Sequence, residues 1–551
     1  MLFLFCSLAN AELHSPQAFL ENVMFAESPP EGLDKIASVM SQIIPEQIEI
    51  PEEIQTSWPY IEFTKGWVNL TVTNAELAPM DGYLDLNIDL DIQINDPSDR
   101  FKLKYQLVFP STCRGFVNTF PANVSGQVYM TLSDEDGDGI KEANVELSDT
   151  FTVSYDLTND KITLENGSNC SVGTLDDIVG WFGGDLYEFI LDFVPVDELL
   201  QDSLPELEET IEDAFNEANI EEQVELGDTM LNLKLSPNDI SITTDGIRLA
   251  FNGQAVTDET ADCVAAYDEG GSLKTDNAVN ALADFPPGYD FGLIVTDDFL
   301  NQALYSGWRG GALCQTIDEE IFALDTSILT LITGDSLEHL FPESKPMIIE
   351  TNPRKTLLIN PQTNHDVAVD IEELGLDFIT NVNGRQVRVL GMDLDTIVGL
   401  NLELNQTTGE LVPEVVIDPA EVTATAIHNE FAPTRSADME STFVSQLDTI
   451  LGLVDIDGLI ADLQILLPTL PAGESALGLQ DIDFGASGAQ NEDLGVFGSI
   501  GSVTYAGDGC DSDSADSALG CAVSPQGSIR PTGRTLLLLS IGLLGLLRRR
   551  S

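Results

Sequence analysis

The residue pattern that points most clearly to chemistry is a short acidic loop. Residues Asp134–Glu142 carry carboxylates at alternate positions, and Gly139 stands at the sixth place. Ca²⁺ prefers carboxylate and carbonyl oxygens, and glycine permits the sharp turn of a calcium loop. The predicted ligands of a structural calcium site are Asp134, Asp136, Asp138, Ile140 through its carbonyl, and Glu142, with Glu146 as the alternative to Glu142. Val145 occupies the twelfth place, where a helix–loop–helix site has glutamate, so a solvated acidic hairpin turn is the alternative.

Groups suited to catalysis are sparse in this chain. The four histidines, His14, His339, His365 and His428, stand apart from any serine, cysteine or aspartate in a recognisable motif. No GxSxG, HExxH, P-loop or GxGxxG pattern occurs in the sequence. Paired acids are so frequent that their proximity carries no information. We therefore expect no enzymatic activity, and a hydrolase is the least favoured alternative.

Cysteine spacing indicates disulfides rather than a zinc or haem site. Of seven cysteines, Cys6 lies in the leader segment, and no CxxC or CxxCH motif occurs. In an oxidising compartment, local pairing predicts Cys113 with Cys170 and Cys263 with Cys314. Other pairings stay open at this point.

The elements that would position these residues are dominated by long strands. From Tyr83 to Asn95, Leu and Ile alternate strictly with Asp, Asn and Gln. This period of two predicts a strand of roughly 40 Å, at about 3.3 Å per residue, with one buried and one wet face. Similar alternation occurs at Val128–Leu132, Phe151–Leu157, Val367–Phe378 and Val398–Leu404. Long antiparallel strands with one apolar face must curl around apolar material.

Apolar residues at steps of three and four indicate amphipathic helices that such sheets could enclose. One stripe runs from Leu186 to Ala218, and another begins at Asp297, which is predicted to cap its helix, and ends at Gly310. A third helical region is predicted from Phe443 to Leu467. The large side chains of the first two stripes are Phe189, Phe193, Phe215, Phe299, Leu304 and Trp308. Their simplest interpretation is ordinary core.

The order of long strands, long helix and closing strand pair occurs twice along the chain. The closing pairs are Leu231–Gly253 and Leu477–Gly498. We predict an α+β fold of two tandem curled antiparallel sheets, each wrapped around a long amphipathic helix. The predicted divisions are a signal peptide at 1–11, a first domain at 12–255, a connector at 256–290, a second domain at 291–505, a flexible stalk at 506–533 and a tail at 534–551.

Both ends of the chain carry patterns typical of targeting signals. The apolar run Met1–Leu8 and the small-x-small site Ala9–Ala11 predict a secretory signal peptide. At the other end, Cys521, the uncharged run Thr535–Leu547 and the cluster Arg548–Arg550 together resemble a bacterial MYXO-CTERM sorting tail. That resemblance implies processing near Cys521 and a lipid anchor at the cell surface or outer membrane. An ordinary tail anchor is the alternative.

The charge balance excludes one large class of partners. The chain has 23 Lys and Arg against 93 Asp and Glu, a formal net charge of -70. Such a surface repels phosphate backbones, so we expect no nucleic-acid binding. Unaided docking on anionic membranes is disfavoured for the same reason. The apolar fraction of 43% is nevertheless sufficient for folded cores.

Several stretches, in their order along the chain, resemble the bactericidal/permeability-increasing family, the two-barrel branch of the tubular lipid-binding (TULIP) superfamily. They are Leu70–Leu77, Asn123–Val128, Leu293–Leu304 and the closing segment Leu470–Phe497. The resemblance covers residues 30–505 and implies a boomerang of two barrels joined by a central sheet. It also implies a lipid held in an apolar slot between helix and sheet, lined by a subset of the six large side chains. Two features depart from the family: its basic tip is replaced by acidic sequence, and Cys113 and Cys170 both lie outside the predicted helix.

Together these patterns predict an exported, surface-anchored bacterial protein that binds a lipid or another acyl-chain ligand, with lipid transfer as a further role. Membrane contact would be through the C-terminal tail or anchor, and Ca²⁺ would be structural. The alternative is a calcium-stabilised structural or adhesive surface protein without a ligand.

Overall fold

The computed structural model describes most of the two predicted halves. The described residues are 12–14, 19–39, 47–50, 53–55, 60–106, 110–134, 141–148, 151–158, 161–165, 170, 220–226, 229–258, 260–264, 273–275, 286–317, 325–333, 340–360, 365–405, 410–446, 465–466, 470–472, 475–488 and 491–503. Antiparallel strands dominate this part of the chain and form three large sheets. A small fourth sheet pairs β1 (Glu12–His14) with β16 (Leu273–Thr275).

The first-half sheet has ten strands, numbered here along the chain. They are β3 (Gln47–Ile50), β4 (Glu53–Gln55), β5 (Tyr60–Thr64), β6 (Gly66–Met80), β7 (Tyr83–Ile94), β8 (Phe101–Gln106), β9 (Pro110–Ser133), β10 (Glu142–Leu147), β11 (Thr152–Tyr155) and β12 (Ile162–Glu165). Strand β9 pairs with β7 and β8 along one edge and with β10, β11 and β12 along the other. The β6–β7 turn adjoins the next sheet, because Gly82 N–H donates to the Ile242 carbonyl at 3.0 Å.

The predicted alternation in the first half is confirmed, since β7 buries every second residue from Leu84 to Ile94. Strand β9 keeps the same inner face by a bulge. The β7–β9 register shifts between Ile92 and Ile94, whose partners are Phe120 and Val117. The bulge places one extra residue in β9 between Val117 and Phe120. The alternating side chains on either side of the bulge therefore stay on the same face of the sheet. Both Val117 and Phe120 are fully buried as a result.

The central sheet contains strands from both halves of the chain. Its eight strands lie in the order β13 (Ile220–Leu226), β14 (Thr229–Thr243), β15 (Gly246–Val256), β2 (Leu20–Ser28), β17 (Phe291–Val295), β28 (Asp493–Val503), β27 (Ser475–Ser487) and β26 (Leu470–Ala472). Strands β2 and β17 meet in the middle, where Phe25 pairs with Ile294. The hairpins β14–β15 and β27–β28 take equivalent places on either side. The likeness of the two closing pairs in sequence is therefore matched by their positions in the sheet.

The second-half sheet has eight strands. They are β18 (Thr316–Ile317), β19 (Met347–Pro353), β20 (Leu358–Ile359), β21 (Val367–Val382), β22 (Arg385–Asn405), β23 (Glu410–Ile417), β24 (Thr423–His428) and β25 (Ile465–Leu466). The long hairpin β21–β22 turns at Asn383–Gly384, where both residues have positive φ. The helix predicted as far as Leu467 is wrong at its end, because Ile465–Leu466 pair with Glu410 and Leu411 as a strand.

The described helices are α1 (Pro30–Val39), α2 (Asp297–Arg309), α3 (Ile328–Thr333) and α4 (Ser436–Ser445). The prediction that Asp297 caps α2 is wrong by one residue, since Thr296 is the N-cap. The Asp297 N–H instead donates to the Asp493 carboxylate at 3.3 Å. None of the helices in the described ranges is long and apolar enough to cross a membrane.

The structure supports part of the predicted fold class. The antiparallel sheets are as predicted, and both halves contribute to one central sheet. Within the described strands the sheets are open and do not close into barrels. The first predicted long helix, residues 186–218, lies outside the described residues.

Candidate functional site

The inner surface of the first-half sheet is a continuous apolar face, called here the first-half face. Strands β6, β7, β8 and β9 contribute most of its side chains. Its members at 0% exposure on these strands are Leu86, Ile92, Ile94, Phe101, Leu103, Cys113, Val117 and Phe120. At about 3.3 Å per residue, the twelve-residue strand β7 gives this face a length of roughly 40 Å.

Two described elements pack on the first-half face near the central sheet. Helix α1 contributes Leu33 and Ala37, and the tip of the β14–β15 hairpin contributes Ile242 and Ile247. Three candidate lining residues, Phe189, Phe193 and Phe215, lie outside the described residues, so their placement stays a prediction.

Helix α2 occupies the space between the central sheet and the second-half sheet. Its Phe299 and Leu304 are buried to 0% and 1% exposure in one cluster with Val295 of β17, Val369 of β21 and Leu400 of β22. We call this the junction cluster. Two of the candidate lining residues, Phe299 and Leu304, thus lie together in an apolar core.

The far end of the second-half sheet is covered by its own helices. Leu329 of α3 and Met439 and Phe443 of α4 pack against Phe378 and Leu390 on the inner face of the β21–β22 hairpin. Met439 and Phe443 are exposed by 0% and 2%. The inner face of this half therefore has helical side chains against it at both ends.

Buried polar side chains fix α2 to the backbone of both halves. In the first half, Gln302 Oε1 accepts from the Ala255 N–H at 2.7 Å, and the Ser306 hydroxyl donates to the Ala255 carbonyl at 2.8 Å. In the second half, Asn301 Oδ1 accepts from the Ile359 N–H at 2.8 Å. Every residue of α2 from Asp298 to Trp308 is buried. Backbone groups left unpaired at such depth would be costly, so these contacts stabilise one position of the helix.

Trp308, the last candidate lining residue, lies apart from Phe299 and Leu304. Its indole N–H donates to the Pro353 carbonyl at 3.1 Å. The ring packs with Val264 and Tyr305 beside the disulfide between Cys263 and Cys314. The structure therefore brings Phe299 and Leu304 together and places Trp308 in a separate cluster.

The structure contains both predicted disulfides. Cys113 at the start of β9 bonds to Cys170, with their Cα atoms 5.0 Å apart. Cys263 of the connector bonds to Cys314 in the turn after α2, with their Cα atoms 6.2 Å apart. The second bond therefore ties the connector to the end of a buried helix.

Charged contacts join α1 and the central sheet. Lys35 Nζ lies 2.6 Å from Asp290 Oδ2 and donates to the Ile500 carbonyl at 2.9 Å. We call these two contacts the Lys35 bridge. On the central sheet, Arg248 pairs with Glu27. Burial raises the pKa of the Glu27 carboxyl above its usual value, although Arg248 acts in the opposite direction.

The predicted calcium loop is described only at its two ends. Strands β9 and β10 form the expected hairpin, with Glu142 opposite Ser133. Asp136, Asp138 and Ile140 lie outside the described residues. Lys141, which lies within the predicted loop beside Glu142, donates to the Asn238 carbonyl of β14 at 2.6 Å, so this end of the hairpin is anchored to the central sheet. Within the described ranges, no group of three or more His, Cys, Asp or Glu side chains could hold a metal ion.

The residues that attach the helices to the sheets were not predicted from the sequence. Gln302 and Ser306 stand on a helix that the apolar stripe predicted as core, and Lys35 and Asp290 are separated by most of the first half. The available signal was a polar residue at a predicted core position of α2. No local pattern indicated its partner, the backbone of Ala255.

A scan against protein-family profiles finds no match for this chain, and a search of curated proteins finds none either. Among solved structures, the chain is similar to lipopolysaccharide binding protein, with 11% identity and a TM-score of 0.45 over 88% of this chain and 100% of that chain. It is similar to P47 of Clostridium botulinum E1, with 9% identity and a TM-score of 0.24 over 88% and 100% of the two chains. Takeout 1 of Epiphyas postvittana matches 34% of this chain and 92% of its own, with 6% identity and a TM-score of 0.22. At these TM-scores the similarities assign no function.

Proposed function

We propose that the protein binds an acyl-chain lipid along the first-half face. The observation that carries this proposal is the length and uniformity of that face. The strands β7 and β9 present apolar side chains along the whole of it, with the bulge near Phe120 preserving the alternation. Apolar tails that exchange water for such a surface gain about 25 cal/mol per Å² buried.

The tethers of residues 171–219 support the same proposal. Cys170 is held at the end of the face that is remote from the central sheet, through its bond to Cys113. Ile220 pairs with Leu235 in the central sheet. The predicted helical segment over 186–218, interrupted by Pro195 and Pro205, would span at most about 50 Å at about 1.5 Å per residue, which is comparable to the length of the face. We place the ligand between this helix and the sheet, against a subset of Phe189, Phe193 and Phe215.

The charge of the chain restricts the ligand. A net charge of -70 repels anionic headgroups, so a neutral or zwitterionic lipid is favoured. The two disulfides accord with an oxidising, exported location. The proposal includes export, anchoring near Cys521 and transfer of lipid between membranes. The intact mass of the mature protein tests where the chain is processed.

The deciding measurement compares native and denaturing mass spectra of the exported protein purified without detergent. We expect a mass excess of one or two lipid molecules that is lost on unfolding. A native mass equal to the chain mass, with no uptake of added phosphatidylcholine, would refute lipid binding. That result would favour the calcium-stabilised structural alternative, in which the core is filled by protein.

A substitution on the first-half face locates the ligand. Ala122 on β9 is 5% exposed and opposes Leu90, so Ala122→Phe would fill space against the face. We expect loss of the bound lipid with a native circular dichroism spectrum. Thr131→Phe is the matched control, because Thr131 lies on the same strand and is exposed. Equal lipid content in both variants would place the ligand elsewhere.

The calcium site stays a proposal and has a separate test. If Asp134, Asp136, Asp138, the Ile140 carbonyl and Glu142 bind Ca²⁺, chelation should lower the melting temperature by several degrees. Asp136→Asn should remove that response, and Asp245→Asn, in an exposed turn, should preserve it. A melting temperature that is unchanged by chelator and by added Ca²⁺ would refute the site.

A further inference from the structure

Helix α1 lies across the boundary between the first-half sheet and second-half strands of the central sheet. It packs mainly on β6 and also contacts β26 and β28. Leu33 and Ala37 are exposed by 4% and 0% and join the apolar cluster of the first-half face. Glu31 and Asp34 on the other side of the helix are exposed. One side of α1 therefore covers the proposed ligand surface at its end near the central sheet.

The Lys35 bridge holds α1 to the second half. Asp290 Oδ2 accepts from Lys35 Nζ at 2.6 Å and from the Ile500 N–H at 2.6 Å. The carboxylate is 6% exposed, whereas the lysine side chain is 45% exposed. The acceptor is thus fixed within the sheet, and the donor is the part of the contact that water and salt can reach.

Close backbone packing at Gly32 completes the contact. A Cβ atom built at this glycine would lie 1.7 Å from the Asp290 carbonyl oxygen. The Ser28 hydroxyl donates to the same carbonyl at 3.0 Å. Only glycine allows the first turn of α1 to approach Asp290 in this way.

These contacts are of a kind that opens locally. A ten-residue helix is only marginally stable by itself, so α1 depends on its apolar side and on the Lys35 bridge. A partly exposed ion pair is weak and is screened by salt. Elements held in this way open at lower free energy than the sheets beneath them.

We propose that α1 is a gate over the first-half face and that the Lys35 bridge keeps it closed. The inference rests on the proposed function and adds its regulation. Release of Lys35 from Asp290 would let α1 move away with Leu33 and Ala37, and this would open the end of the ligand surface. In this proposal the bridge forms in both the empty and the lipid-bound protein, so it should set the rate of lipid exchange and leave the affinity unchanged.

The test measures transfer of a self-quenched fluorescent phosphatidylcholine from phosphatidylcholine vesicles to the full-length mature protein. In Lys35→Met we expect uptake and release to be about two- to fivefold faster, the effect of one partly exposed ion pair, with an unchanged dissociation constant. Lys234→Met is the control, because Lys234 is half exposed and pairs with Glu221 at a different edge. At 1 M NaCl the wild-type rates should approach those of Lys35→Met, which should change little.

A second variant opens the gate by a different route. Gly32→Ala raises helix propensity yet places a methyl group against the Asp290 carbonyl, so it should speed exchange at least as much as Lys35→Met. Hydrogen exchange of the amides of residues 33–37 should be faster in both variants than in the control. If all variants and the wild type exchange lipid at one rate, the gate is refuted and lipid binding stands. If the wild type takes up no phospholipid, the proposed function fails and the gate fails with it.

Discussion

The helices α1 and α2 occupy equivalent places in the two halves, but different kinds of contact hold them to the opposite half. Each follows a middle strand of the central sheet, α1 after β2 and α2 after β17, and each contacts strands of the opposite half. Helix α1 makes its contact through an ion pair whose lysine is 45% exposed. Helix α2 makes its contact through the neutral side chains of Gln302 and Ser306, which are exposed by 0% and 2%.

This difference separates a fixed helix from a releasable one. Undocking α2 would leave the N–H and carbonyl of Ala255 unpaired in an apolar core, and such groups each cost about 1–3 kcal/mol. Undocking α1 instead moves the Lys35 side chain fully into water, and that side chain is already 45% exposed when the helix is docked. Equivalent positions in a two-fold arrangement therefore need not have equivalent mobility, because burial of the contact decides its strength.

The largest effect is expected from the covalent attachment of α2. Replacing Cys263 and Cys314 together by serine removes a bond across a sequence separation of 51 residues, and should lower the free energy of unfolding by about 2–4 kcal/mol. Urea denaturation measures the loss, and Cys510→Ser serves as the control. Hydrogen exchange should rise at the end of α2 and stay constant in α1. Faster exchange in α1 alone would contradict the assignment of α2 as the fixed helix.

A smaller loss is expected from one buried hydrogen bond of α2. Gln302→Leu keeps the volume of the side chain but removes the acceptor of the Ala255 N–H, which should cost about 1–3 kcal/mol. The matched variant Gln386→Leu lies at an exposed position of β22 and should change stability by less than about 0.5 kcal/mol. Equal stability of the two variants would show that the contact to Ala255 does not hold α2.

The smallest effect on stability is expected in α1. Lys35→Met should lower the free energy of unfolding by no more than about 1 kcal/mol, since the ion pair is partly exposed. At 1 M NaCl, where the Debye length is about 3 Å, the difference from wild type should shrink further. The Gln302→Leu difference should persist at that salt concentration, because its contact is neutral and buried. A loss for Lys35→Met as large as that for Gln302→Leu would remove the contrast between the helices.

Much of the fold could be predicted from periodicity. The alternation from Tyr83 to Asn95 corresponds to β7, and the Asn383–Gly384 turn lies where the sequence places it. Both disulfides were predicted from spacing. Errors occurred at element ends, as at Thr296 and at Ile465–Leu466. There the deciding partners, Asp493 for α2 and Glu410–Leu411 for β25, lie far away in the sequence.

The sequence predicted which side chains of the candidate site are buried, but not how they are grouped in the folded protein. Apolar stripes indicated which side chains are buried, but not that Trp308 would pack beside a disulfide, apart from Phe299 and Leu304. An apolar stripe predicts only that a side chain is buried. Which apolar cluster receives it depends on how the two halves meet in the central sheet.

The sequence by itself determined the one-faced strands and the acidic charge of the chain, because each follows from residue type and local spacing, whereas the cysteine pairing and the repeated order of elements were predictions. Only the tertiary structure decided that β2 and β17 join the halves in one sheet, that Asp493 accepts the first N–H of α2, and that Lys35 reaches Asp290. These contacts connect residues about 200 or more positions apart. Hydrogen bonds and ion pairs act over a few ångströms, so their partners are chosen by the folded geometry.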